Sequence, residues 1–175
     1  MVHKLTFTEK EKSRGRAVFL DRDGVVNFEP ADYVKRSKEF RLNPRIIPLL
    51  WAVNHEKYNL IVVTNQRGIA LNLMTHEHFE EITLRMIQEL AKGKIAIDAV
   101  YYCPHNHNEC NCRKPLPGMF NEAQGDFQLS LEQSAMIGNS DHDIEAARRA
   151  GIGRSFKVPT DRPEFALEFI SSLQT

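Results

Sequence analysis

The run Asn59-Leu-Ile-Val-Val-Thr64 constrains the fold most. A strand with one wet face alternates apolar and polar residues, whereas Leu60 to Val63 are apolar without a break. Both faces of such a strand must be covered, as happens inside a parallel sheet. Runs of the same character recur at 17–20 (AVFL), 98–103 (DAVYYC) and 134–139 (SAMIGN), and 154–158 (RSFKV) reads as an edge strand. Between them the apolar residues move to helical spacing. Ile46, Ile47, Leu49, Leu50 and Val53 predict a helix over about 43–56, and Phe79, Ile82, Met86 and Leu90 one that starts at Thr75. That second start lacks the usual capping box, because residue 78 is His rather than Glu. PGMFNEAQ, DHDIEAARRAG (closed by Gly151) and ALEFISSL supply three more helices. Strands alternating with helices predict a three-layer α/β/α, Rossmann-like parallel sheet. The 175 residues suit a single domain, with 1–15 as a polar lead-in. No insertion is long enough for a cap domain.

Parallel sheets of this kind take ligands beyond the carboxyl ends of their strands. The unusual polar residues cluster there: Asp21 and Asp23, Thr64 and Asn65, Cys103 onward, and Asn139 onward. In DRDGVVN two carboxylates stand two residues apart beside a glycine that permits a sharp turn. Such groups repel unless a cation or a shared proton intervenes, and a hard ion such as Mg²⁺ also grips phosphate oxygens. The Thr64 hydroxyl can donate to a phosphoryl oxygen, and the Lys114 ammonium can balance charge spread over several oxygens.

The stretch 103–112 gathers all three cysteines and two histidines. Cys103, His105, Cys110 and Cys112 form C-x-H-x4-C-x-C, four ligands of the types that close a tetrahedral structural zinc site; His107 is the alternative histidine. An odd cysteine count argues against a disulfide framework, and C-x-C lacks the redox C-x-x-C spacing. Fixing Cys112 fixes the backbone that aims Arg113 and Lys114. Lys+Arg and Asp+Glu both number 23, so no global basic field exists to attract nucleic acid. The first residues lack a secretory h-region and no 18-residue apolar run occurs, so a soluble cytoplasmic protein without a membrane partner is expected.

Taken together, DRDGVVN after AVFL, TNQRGIA after the second strand, RKP at 113–115 and IGNSDHDIEAA at 137–147 resemble the four motifs of the haloacid-dehalogenase (HAD) superfamily of phosphohydrolases. The resemblance spans Ala17 to Gly151. It implies Asp21 as nucleophile, forming an aspartyl-phosphate, and Asp23 as general acid and then base. By the same resemblance Thr64 and Lys114 hold the phosphoryl group, Asn65 and Gln66 line the pocket, and Arg113 recognises substrate. Residues Glu29 to Tyr33 close over it. Asp21, Asp23 and residue 139 would hold catalytic Mg²⁺, with Asp143 as a supporting acid. Residue 139 departs from the pattern: the expected aspartate is Asn139, which implies weaker metal binding, with Asp141 as a candidate to compensate. The CPH…CxCRKP loop narrows the resemblance to the branch of heptose-bisphosphate and histidinol-phosphate phosphatases. A monomer acting on a small phosphorylated sugar is therefore expected, with histidinol phosphate as the alternative substrate. The alternative from another class is a catalytically weakened phosphate-binding protein.

Overall fold

The computed structural model describes residues 1–8 and 13–173; residues 9–12 of the lead-in lie outside them. Six strands form one sheet: β1 (His3–Thr6), β2 (Ala17–Leu20), β3 (Asn59–Asn65), β4 (Ala99–Cys103), β5 (Ala135–Gly138) and β6 (Arg154–Lys157). Their order across the sheet is β1-β4-β3-β2-β5-β6. From β4 to β6 every pairing is parallel. The unbroken apolar runs predicted this, since β2, β4 and β5 are buried along their whole length and β3 is buried up to Thr64.

Alternate residues of each strand feed two separate cores. Val18, Leu20, Leu60, Val62, Val100 and Ile137 face a layer built from α1 (Ile46–Trp51), α2 (His76–Lys92) and α5 (Leu167–Ser171). Phe19, Ile61, Val63, Tyr101 and Met136 face α3 (Gly118–Phe127) and α4 (Asp141–Ala150). Phe120 meets Phe19 edge-on, with ring centroids 5.0 Å apart. Burying a side chain of this size contributes roughly 1.5–3 kcal/mol.

Several local features differ from the sequence reading. The lead-in contains β1, which pairs antiparallel with β4 and seats Leu5 against the first core. The helix expected over 43–56 shrinks to α1, because Asn54 accepts from the amides of Lys57 and Tyr58 and starts its own turn. At α2 the capping box forms after all. Thr75 Oγ1 accepts from the His78 amide, and His78 Nδ1 accepts from the Thr75 amide at 3.1 Å, so an imidazole does the work of the missing carboxylate. The last helix begins as a 3₁₀ turn over Pro163–Ala166 before α5. Gly151 ends α4 as expected, in a left-handed conformation at φ 78°.

Candidate active site

Asp21 leaves the end of β2 and its amide donates to Ile137 O of β5 at 3.0 Å. Lys114, almost wholly buried, reaches under it. Its Nζ donates to Asp21 Oδ1 at 2.7 Å and to Val63 O at 2.8 Å, and lies 2.5 Å from Asp143 Oδ1. Asp143 is held from its other side: Oδ2 accepts from the Ser140 amide at 2.9 Å and from Ser140 Oγ at 2.6 Å. The N-terminal box of α4 thus grips one oxygen of Asp143 and leaves the other for the lysine.

Electrostatics follow from this burial. Burial and then the Asp143 charge push the Asp21 carboxyl up to about 7, against the pull of Lys114. Burial works against Asp143 too, but Lys114 and the Ser140 bonds bring it below the ordinary carboxylate range. Lys114 stays above its ordinary value because the two acids outweigh its own desolvation.

Asp23 is fixed by three neighbours. Arg22 donates to both its oxygens, Asn27 Nδ2 donates to Oδ1 at 2.9 Å, and Gln66 Nε2 donates to Oδ2 at 3.1 Å. Gln66 also donates to Thr64 Oγ1 at 3.0 Å. It therefore stands behind the site as a brace between Asp23 and Thr64. Asn65 lines the cavity but also clamps Lys114: its side chain accepts from the Lys114 amide at 3.0 Å and donates to the Lys114 carbonyl at 3.1 Å.

Asp21, Asp23, Thr64 and Lys114 converge on one cavity of about 210 Å³, completed by Glu29, Tyr33, Asn139, His142 and Asp143 among others. Asp141 does not reach it, being exposed and paired with Lys157 at 2.7 Å. Glu29 is pushed above the ordinary carboxylate range by burial and by Asp23. Asn139 Nδ2 donates to Glu29 Oε2 at 3.2 Å and to Thr160 Oγ1 at 3.3 Å. Converging carboxylates of this kind suit a hard divalent cation, which relieves their repulsion. A second cavity of about 230 Å³ opens on the other side of Lys114, lined by Arg113, His107, Leu116 and His142. One guanidinium nitrogen of Arg113, Nη1, is buried with no hydrogen-bond partner among the described residues.

The loop after β4 brings Cys103, His105, Cys110 and Cys112 together, with ligand atoms all within 4.8 Å of one another. Cys103 Sγ stands 3.5 Å from both His105 Nδ1 and Cys110 Sγ, and Cys112 Sγ stands 3.4 Å from His105 Nδ1. Tetrahedral bonds of about 2.0–2.3 Å to nitrogen and sulfur imply edges of about 3.3–3.8 Å, the range of these three separations, so the cluster could hold a metal ion. His107 instead lines the Arg113 cavity. Arg67 Nε donates to Asn106 Oδ1 at 2.6 Å and ties this loop to the turn after β3. The sequence reading missed Arg22, Asn27, Ser140, His142, Thr160 and Asp161. Of these only Ser140 carried a readable signal, the S-x-x-D spacing that caps a helix.

The HAD-hydrolase-like family model matches residues 111–161. The chain is 37% identical over 155 residues to the D-glycero-beta-D-manno-heptose-1,7-bisphosphate 7-phosphatase of Vibrio cholerae, covering 84% of this chain and 83% of that protein. Among solved structures, a putative HAD-like phosphatase from Mesorhizobium loti superposes with a TM-score of 0.82 at 26% identity, over 98% of this chain and 94% of that one. The D,D-heptose 1,7-bisphosphate phosphatase from B. bronchiseptica, complexed with magnesium and phosphate, superposes with a TM-score of 0.78 at 30% identity, over 88% and 86%.

Proposed function

The chain belongs to the HAD-like phosphatase family, and from that premise we propose that it removes the 7-phosphate of D-glycero-D-manno-heptose 1,7-bisphosphate. The observation that carries this reading is the position of Lys114, bonded to Asp21 and facing two adjoining cavities. A phosphoryl group in the first cavity meets Asp21, whose Oδ2 accepts no hydrogen bond among the described residues. Asp21 attacks phosphorus as the ester bond breaks, and Asp23 gives the leaving oxygen its proton. Water then attacks the aspartyl-phosphate, Asp23 takes that water's proton, and Asp21 and inorganic phosphate are released. Lys114 and the Thr64 hydroxyl stabilise the charge on the transferring oxygens in both steps. Magnesium, held by Asp21, Asp23 and Asn139, would supply further charge neutralisation at the same oxygens.

The second phosphate of a bisphosphorylated sugar gives the unpaired Arg113 nitrogen a partner, through charge-assisted bonds of the kind guanidinium makes with phosphate. Zinc in the Cys/His loop is structural in this reading, since four protein ligands leave no open position. The protein would act as a cytoplasmic monomer, its three cysteines serving a metal rather than disulfides.

The test compares phosphate release from heptose 1,7-bisphosphate, heptose 7-phosphate and histidinol phosphate by purified zinc-loaded protein with Mg²⁺. We expect kcat/KM for the bisphosphate to exceed both others by at least about tenfold, the value of one charged contact. Preference for histidinol phosphate would overturn the substrate assignment. Binding without release of phosphate from any of the three would overturn the enzyme assignment.

A further inference from the structure

Asn139 stands where a carboxylate is expected, so the cation site carries one negative charge fewer than its motif provides. Glu29 approaches that amide from the loop after β2, the parallel strand beside β5. Its Oε2 accepts from Asn139 Nδ2 at 3.2 Å, and Thr160 Oγ1 takes a second bond from the same nitrogen at 3.3 Å. Both acceptors engage the NH₂ end, and among the described residues nothing donates to Oδ1. An amide held this way turns its oxygen, the only atom that can bind a cation, away from its two anchors.

Glu29 is itself held in place. Its amide donates to Asp161 Oδ1 at 2.7 Å, and the Asp161 amide donates to Gly24 O at 2.9 Å. The Asp161 carbonyl accepts from Asn43 Nδ2 at 3.0 Å and Arg45 Nη1 at 3.3 Å, fixing a residue that sits at φ 61°. Gly24 completes the arrangement. A Cβ there would collide with both the Asn139 amide nitrogen and the Glu29 carboxylate oxygen, so the turn after Asp23 is shaped to let the pair meet.

We propose that Glu29 is a positioning residue for the metal: it orients the Asn139 amide so that Oδ1 faces the cation, and it restores the charge that the amide lacks. The inference rests on reading the cavity as a magnesium-dependent phosphatase site. A role for Glu29 in substrate contact alone would leave metal binding in the absence of substrate unchanged.

The experiment measures Mn²⁺ binding to substrate-free, zinc-loaded protein by the loss of the free-ion EPR signal, with Mg²⁺ affinity obtained by competition. Glu29→Gln keeps the size and one acceptor oxygen but removes the charge. It should weaken binding about 10–100-fold, the usual range for a residue behind a metal ligand. The transposed pair Glu29→Gln with Asn139→Asp returns the charge to the motif position and should recover wild-type affinity to within about threefold. Because the double variant retains the first substitution, its recovery excludes a general folding defect as the cause of the single variant's loss. Glu29→Gln binding within twofold of wild type, or a transposed pair as weak as the single variant, would sink the inference while leaving the phosphatase reading intact. If the wild-type protein binds neither ion yet hydrolyses its substrate, the magnesium reading fails as well.

Discussion

Replacing Lys114 by methionine keeps most of the volume of a buried side chain and deletes its charge. The native ammonium sits 2.7 Å from Asp21 Oδ1 and 2.5 Å from Asp143 Oδ1, with Lys114 and Asp143 both almost wholly buried. The variant leaves two enclosed carboxylates facing each other across a thioether. Removing one member of a buried ion network costs about 3–5 kcal/mol. We expect the lower end at pH 8, because Asp21, already pushed up to about 7, takes up a proton readily. The pH dependence is the sharper test. In the native protein Asp143 lies below its ordinary value of 3.8, so its stabilisation is present above that value and is lost as pH falls through the lower folded one. Without Lys114 both Asp21 and Asp143 lose their counter-charge, and at Asp143 the Ser140 bonds remain to oppose burial, so both carboxyls lie higher than in the native protein and their ionisation opposes folding more as pH rises. The gap between the two proteins should therefore widen with pH, being smaller at pH 5 than at pH 8 by at least about 1 kcal/mol. Urea unfolding of zinc-loaded protein followed by far-UV circular dichroism, without Mg²⁺, measures it. An equal gap at both pH values, or a loss under about 1 kcal/mol at pH 8, would refute the account. Turnover should fall on the order of 10²–10³-fold, as for loss of one preorganised donor to a transition-state oxygen.

Asp21→Asn should lower phosphate release by at least about 10³-fold and abolish the acid-stable phosphoenzyme seen after rapid quenching of wild type. Arg113→Met should raise KM for the bisphosphate about 10–100-fold, the loss of a charged hydrogen bond, and leave heptose 7-phosphate within about twofold. Cys110→Ser should reduce bound zinc, measured by elemental analysis, well below one per chain and lower the melting temperature. Activity should drop with it, since the loop it anchors runs directly into Arg113 and Lys114. Magnesium affinity should climb from pH 5.5 to 7.5 and then level, because the proton on Asp21 competes with the cation until pH passes about 7. A flat profile over that range would count against Asp21 as a metal ligand.

Sequence and structure agree where a single physical demand acts on consecutive residues. Each unbroken apolar run became a sheet-interior strand because both faces of that sheet are covered, and the residue following it emerged at the carboxyl edge. That is why Asp21, Thr64 and Cys103 were legible as candidate site residues. β1 escaped notice because a four-residue edge strand with exposed Lys4 and Thr6 looks like any polar segment. Its alternation, with Leu5 inward, was the one available signal. Capping of α2 by His78 was hidden because an imidazole acceptor is an uncommon substitute for a carboxylate. The contacts around Glu29 lie further out of reach. Glu29 and Asp161 are 132 residues apart, and both occupy irregular backbone without periodicity. Arg22 is another case: a fully buried arginine contradicts the ordinary expectation for its type and is tolerated here because Asp23 neutralises it and the Phe79 ring lies 5.4 Å from its guanidinium carbon.

The order Cys112-Arg113-Lys114 couples three tasks that must share one backbone conformation. Cys112 turns inward to the Cys/His cluster, Arg113 lines the second cavity, and Lys114 reaches through to Asp21. The chain turns here, the Leu116 amide donating to Arg113 O at 2.8 Å, so these residues can serve separate places only if none of them slips along the chain. Two clamps prevent that slip. A metal in the Cys/His cluster would fix the loop at Cys112, and the reciprocal pair of bonds from Asn65 fixes the main chain at Lys114. Arg113 lies between the clamps, which explains how a guanidinium with a buried, unpartnered nitrogen is kept at its cavity rather than turning out to water. On the proposed roles of Arg113 and Lys114, recognition of a second anion and stabilisation of the transferring phosphoryl group would depend on the same few ångströms of restrained chain. Loosening either clamp should disturb both together.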